Sequence, residues 1–215
     1  MLQPCPWMPH TLQCGHTTPQ PGTLLVLLHG WGARAEDMGM LAQALGDCRP
    51  QTLTLAPQGF TLSDVQTGAR QWFDVRGMTP HNRQQRIDAV LPRMAAWIST
   101  AQAHTGVSCH NTALAGFSQG ASLALALVSA HERFASRVFA FSGRPPASLR
   151  DTAHAKALHF FTGALDPLLP VATLSDAVLR LHNAGNRVTL DVAEQLGHGI
   201  NGQLLDRARA YLTAE

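Results

Sequence analysis

The stretch 111–130 constrains the chain most. Residues 111–115 (Asn-Thr-Ala-Leu-Ala) are short and apolar enough for a buried strand, and residues 121–130 are rich in Ala and Leu, which favour helix. Between them stands Gly116-Phe117-Ser118-Gln119-Gly120. Turning from strand to helix within so few residues forces Ser118 into a strained backbone conformation. Its neighbours two before and two after must then be small, and both are Gly. A serine on such a turn presents its hydroxyl at the end of the strand, which makes Ser118 a candidate nucleophile.

The remainder of the chain alternates strand and helix. Thr23 to Leu28 is a continuous apolar run, the mark of a strand covered on both faces. Strands are also predicted over 52–56, 112–117, 137–142, 157–162 and 187–192. Helices are predicted over 36–45, closed by Gly46, and from an N-cap at Thr79 with Pro80 in the first turn. That second helix carries Ile87, Val90, Leu91, Met94, Ile98 and Ala101 on one face, with Pro92 expected to kink it. Two more are read over 170–184, stopped by Gly185, and over 201–212. Such alternation implies an α/β fold, a mostly parallel sheet with helices on both faces. The connection 143–156, with Pro145 and Pro146, reads as a loop or a single turn. Residues 57–78 form a long loop, a length that is usually functional. Residues 1–22 hold five prolines and read as an irregular lead-in with a short edge strand near 11–14. Residues 23–215 then form one catalytic domain without a lid.

Composition narrows the function. A chain of 215 residues that is 45% hydrophobic fills one core and is short for two. A net charge of +2, with arginines scattered and Lys156 the only lysine, argues against a nucleic-acid surface. Cys5, Cys14, Cys48 and Cys109 form no paired framework, which fits a reducing compartment. The proline-rich start lacks a basic region followed by an apolar one, so no signal peptide is expected. The longest apolar run is too short to span a bilayer, and a cytoplasmic location with no membrane insertion is expected. Monomer and dimer are both compatible with this composition. The histidines lack ligand spacing and no phosphate loop follows a strand, so neither metal nor cofactor is expected.

A serine hydroxyl needs a base to remove its proton, and the base needs an acid to orient it. In parallel sheets such partners come from loops at the carboxyl ends of strands. The strand over 157–162 runs into Gly163-Ala-Leu-Asp166-Pro, and the strand over 187–192 leads to Gly197-His198-Gly199. Asp166 and His198 are the candidate acid and base, with the flanking glycines expected to let His198 approach its partners. Asp191 is the competing acid and reads as an exposed edge-strand side chain. Two backbone N–H groups are needed for a developing oxyanion. Gln119, which opens a helix, and Trp31, in His29-Gly30-Trp31-Gly32, are the candidates. The His29 ring is expected to pin that loop by a hydrogen bond. Trp72 and Phe73 suit either core packing or an acyl pocket; they are taken forward, with Leu168, as the pocket wall.

These motifs in combination resemble the carboxylesterase/phospholipase branch of the α/β hydrolases, which includes acyl-protein thioesterases. Arg70-Gln-Trp-Phe-Asp-Val-Arg-Gly-Met-Thr with Asn82-Arg83-Gln84 is most similar to its bacterial YpfH-type esterases. The resemblance runs roughly from Leu24 to Leu205. It implies Ser118, Asp166 and His198 as a triad, with the Trp31 and Gln119 amides as oxyanion hole, acting on small-molecule esters or thioesters. Two departures stand out. No clear N-terminal hairpin is evident, which predicts a reduced first sheet edge, and Leu168-Leu169 replace the valines common in the family. Depalmitoylation, lysophospholipid cleavage and amide cleavage are the rival activities. A non-catalytic binding module on the same fold is the rival of a different class.

Overall fold

The computed structural model describes residues 1–16, 20–49, 51–131, 134–149 and 157–214. The strands are β1 (Gln3–Pro4), β2 (Thr11–Gly15), β3 (Thr23–Leu28), β4 (Thr52–Pro57), β5 (Thr61–Leu62), β6 (Arg70–Gln71), β7 (Thr112–Phe117), β8 (Arg137–Phe141), β9 (Ala157–Gly163) and β10 (Val188–Ala193). The α-helices are α1 (Gly39–Gly46), α2 (Arg83–Thr105), α3 (Gln119–Ala130), α4 (Val171–Asn183) and α5 (Gly202–Thr213).

Eight strands form one sheet in the order β1-β2-β4-β3-β7-β8-β9-β10, while β5 and β6 make a separate ribbon. From β4 to β10 every pairing is parallel; β1–β2 and β2–β4 are antiparallel. Alternate residues of the central strands feed two cores, which is why their sequences are apolar throughout. Leu24, Val26 and Leu28 pack with Leu114, Val138, Phe160 and the inner faces of α2, α3 and α4. Leu25 and Leu27 pack with Phe139, Phe141, Phe161 and the apolar faces of α1 and α5.

The N-terminal segment departs from its reading as a lead-in. β1 and β2 form the missing hairpin and extend the sheet along β4, from Thr11↔Pro57 to Gly15↔Leu53. Cys5 and Met8 are buried in the main core, and Trp7 stacks on His104 at 3.9 Å between ring centroids. The strand expected near 11–14 is β2, although its inward positions are the polar Thr11 and Gln13; the hairpin was missed because its other strand, β1, is two exposed residues with no alternation to mark it.

Other boundaries moved for local reasons. The helix expected from Thr79 begins at Arg83, because Thr79 and Asn82 first close a reciprocal side-chain turn: each backbone N–H donates to the other's side-chain oxygen. α2 then runs through Pro92 to Gly106, whose φ of 70° ends it. Residues 35–38 wind as 3-10 helix ahead of α1. Of the connection 143–156, residues 150–156, with Lys156, lie outside the described residues; those described carry no helix or strand. Among the described residues no helix is long and apolar enough to cross a membrane.

One buried titratable group ties the fold to pH. His159 on β9 is stacked between Phe139 and Tyr211, and its Nδ1 lies 2.9 Å from Thr189 Oγ1. Burial, helped by the Arg187 charge, pushes its pKa from 6.5 down to about 4. The folded protein thus keeps the ring neutral where the unfolded chain would protonate it. The associated stability is complete above pH 6.5, declines as pH falls and is lost by about pH 4. We expect urea unfolding of the wild type to lose about 2 kcal/mol more between pH 7 and pH 5 than His159→Phe does. Equal losses in both would show that His159 is not the sensitive group.

Candidate active site

The strand–turn–helix at Ser118 forms as the glycine spacing requires. Ser118 adopts φ 53° and ψ −109°, a strained conformation at a non-glycine residue. A Cβ on Gly116 would sit 2.5 Å from the Ala121 nitrogen, and one on Gly120 would overlap the Leu28 carbonyl oxygen. The turn is therefore possible only with glycine at both positions. Ser118 N–H donates to the Phe141 carbonyl at 2.8 Å, which ties the turn to the neighbouring strand end.

At the carboxyl ends of β9 and β10 two further loops converge. The Ala164 and Leu165 amides donate to Ala193 and Leu196 carbonyls, both at 2.9 Å. This close approach depends on Gly163, where any Cβ would collide with the Leu196 and Gly197 backbone. Gly197 and Gly199 were expected to provide it, but a Cβ on either would meet no backbone atom within 3.4 Å, so the close contact is made on the acid's loop.

These contacts bring the three candidates into a chain. His198 Nε2 is 3.0 Å from Ser118 Oγ, and His198 Nδ1 is 2.7 Å from Asp166 Oδ2. The other carboxylate oxygen, Oδ1, accepts from the Leu168 and Leu169 amides at 2.8 and 3.0 Å. Burial alone would raise the Asp166 pKa; the bonds from His198 and the two amides outweigh it and hold the carboxyl below its ordinary value. An ionised Asp166 keeps the His198 proton on Nδ1 and leaves Nε2 free to accept from Ser118. Asp191, the competing acid, is mostly covered and instead accepts from Arg207 at 2.7 Å, away from this chain of bonds.

The His29-Gly30-Trp31-Gly32 loop sits opposite. His29 Nδ1–H donates to the Gly30 carbonyl at 2.7 Å, so Nε2 accepts from Gly59 N–H at 2.8 Å. Burial pushes the His29 pKa down, which keeps this tautomer neutral. The ring pins the loop, as expected. Trp31 and Gln119 both line the cleft with Ser118. The Trp31 indole N–H donates to Gln71 Oε1 at 3.1 Å, but among the described residues no hydrogen bond takes up its backbone N–H, and Gln119, first in α3, has no intrahelical acceptor for its own backbone N–H.

Trp72 is not on the pocket wall. Its side chain is buried in the core and its indole N–H donates to the His29 carbonyl at 2.8 Å. The Gln119 side chain accepts from Trp72 N–H at 2.8 Å and donates to the Phe73 carbonyl at 2.7 Å. The 70–73 segment thus braces the loops carrying both candidate amides, and an indole with a buried N–H goes where it finds an acceptor. Phe73 does face the cleft, and Leu168 stands at its mouth, 62% exposed. The cleft holds about 250 Å³. Sequence reasoning missed Val75, Met78, Arg83, Ser142 and Arg144 on its wall. Val75, Met78 and Arg83 entered the sequence reading only within the motifs that carry the family resemblance, and Ser142 and Arg144 lie in a loop without periodicity.

Known proteins share this sequence pattern and this fold. The sequence profile of the phospholipase/carboxylesterase family matches residues 13–215. Esterase YpfH of Escherichia coli (strain K12) is 40% identical over 190 residues, which cover 88% of this chain and 81% of that protein. The crystal structure of esterase PE8 superposes with a TM-score of 0.85 at 28% identity, covering 94% of this chain and 96% of its own. A carboxylesterase from Mesorhizobium loti shares the fold at a TM-score of 0.78 and 22% identity, over 95% and 94% of the two chains. The chain therefore belongs to the phospholipase/carboxylesterase family, has the α/β-hydrolase fold, and is a carboxylesterase-type hydrolase.

Proposed function

We propose that the protein cleaves carboxylic esters or thioesters of small to medium acyl chains through an acyl-enzyme on Ser118. The observation that carries this reading is the continuous bond chain Ser118–His198–Asp166 beside a cleft with an apolar wall. His198 Nε2 takes the Ser118 proton as Oγ attacks the acyl carbon, then returns it to the leaving alcohol or thiol. Asp166 holds the imidazole and balances its charge. The Trp31 and Gln119 amides hold the oxyanion, with the positive end of α3 behind Gln119. In the second half-reaction water replaces the alcohol and the acid is released. The four free cysteines fit a reducing, cytoplasmic setting.

Chain length follows from the cleft. Phe73, Val75, Met78 and Leu169 line its apolar part, and each methylene that fits contributes about 0.8 kcal/mol, roughly fourfold in kcat/KM. Preference is expected to climb from acetyl to about hexanoyl and then fall. A series of p-nitrophenyl esters and acyl thioesters checks it, and rates still rising at palmitoyl would instead indicate a depalmitoylase. Labelling of the wild-type protein by a fluorophosphonate probe separates an enzyme from a binding module. No labelling and no turnover would overturn the catalytic reading.

A further inference from the structure

Two guanidinium groups share the wall of the cleft with Ser118 and His198, and the reaction just described uses neither. Arg83, the first residue of α2, reaches across to the 143–146 loop. It donates to Ser122 Oγ at 2.8 Å, to the Arg144 carbonyl at 3.0 Å and to the Pro145 carbonyl at 3.5 Å. Arg144 donates to the Leu168 carbonyl at 2.9 Å. Every one of these acceptors is a neutral oxygen. Among the described residues neither guanidinium meets a carboxylate: Asp166 is taken by His198, and Asp74 by Arg76.

Bracing a loop requires donors but no charge, and a neutral amide would donate as well. Among the described residues the positive charge at both positions is left without a counterpart, and like charges on one wall of the cleft raise each other's energy. Burial, and then the neighbouring Arg144, pull the Arg83 pKa down to about 10. A third group points the same way. Ser142, at the end of β8 and on the same wall, has a buried hydroxyl with no hydrogen-bond partner and a φ of 47°. The wall thus offers two cations and an unpaired hydroxyl, while the apolar side chains beside them suit a short carbon linker.

We propose that this cleft selects esters carrying a carboxylate, which Arg144 and Arg83 hold while Ser118 attacks the ester carbonyl. The proposal rests on the esterase reading above and adds the charge of the substrate to it. A guanidinium matches a carboxylate with two parallel N–H donors, so the carboxylate gains orientation as well as attraction. A short dicarboxylic acid monoester would place the anion on the acyl side, and an ester of a hydroxy acid would place it on the leaving-group side.

Two substrate pairs test this and distinguish the sides. For the acyl side, mono-p-nitrophenyl glutarate is compared with its methyl-capped neutral counterpart. For the leaving-group side, 4-carboxyphenyl butyrate is compared with its methyl ester. The readout is the ratio of kcat/KM for the anionic over the neutral member in wild type and variants. Arg144 is exposed, so Arg144→Glu is compatible with folding, and we expect it to lower that ratio about tenfold or more in one pair, while Arg144→Lys, which keeps the charge but not the paired donors, lowers it less. Arg83→Gln, which keeps a donor towards Ser122 and the 144 carbonyl, is expected to lower the same ratio. A fall of less than about threefold with Arg144→Glu in both pairs overturns the proposal; a larger fall in either supports it and identifies the side. No wild-type turnover of any neutral ester would sink the esterase reading instead.

Discussion

Ser118→Ala is expected to lower kcat by about 10⁴-fold or more, since triads that lose one member retain only the contribution of binding and the oxyanion hole. The fold should survive the change. The side chain has one hydrogen bond, to His198 Nε2, and it faces the cleft, so little packing is removed. Alanine also retains the Cβ that makes φ 53° costly, so the strain of the turn is neither relieved nor increased. Steady-state turnover of p-nitrophenyl butyrate, with circular dichroism and Tm as controls, checks this. A purified, folded variant retaining more than about a tenth of wild-type kcat would show that another group is the nucleophile.

Asp166→Asn is expected to cost about as much, close to 10⁴-fold in kcat, for a reason the hydrogen bonds make explicit. Oδ1 accepts from two backbone amides, at Leu168 and Leu169, so the asparagine oxygen will occupy that position. Its amide NH₂ must then face His198 Nδ1, where Oδ2 accepted before. Two donors cannot meet, so Nδ1 loses its proton and Nε2 gains one, directed at Ser118. The base is then in the wrong tautomer at the start of the reaction. The opposite amide rotamer would restore His198 but set an NH₂ against two backbone N–H groups, which is worse. A loss of less than about 10²-fold would mean that Asp166 serves the fold of its loop more than the orientation of His198.

Much of the architecture was legible because it is encoded locally. The apolar runs of β3, β7, β8 and β9 are continuous because alternate residues enter two separate cores, and helix-forming stretches lie between β3 and β7 and between β7 and β8. The elbow at Ser118 was legible because its steric demand falls on two residues at fixed spacing. Asp166 and His198 could be nominated because each follows a strand whose carboxyl end must lie on the same side of a parallel sheet. Order along the chain and strand direction suffice for that, and neither requires knowledge of packing.

Other features were decided by contacts between segments far apart in sequence. β2, expected as a short edge strand, lies instead between β1 and β4 because both offer it a partner, although its inward residues are polar. Trp72 left the pocket because the His29 carbonyl, 43 residues away, needed a donor that its indole could supply. The close approach that sets His198 beside Asp166 is made at Gly163 rather than at the histidine's own glycines. Arg83 and Arg144 meet only because α2 begins where the loop after β8 passes. Periodicity and turn chemistry depend on neighbours within a few residues, so a sequence displays them directly. Which carbonyl a buried donor will find, and which charges will share a cleft, depend on distances that exist only once the sheet has formed.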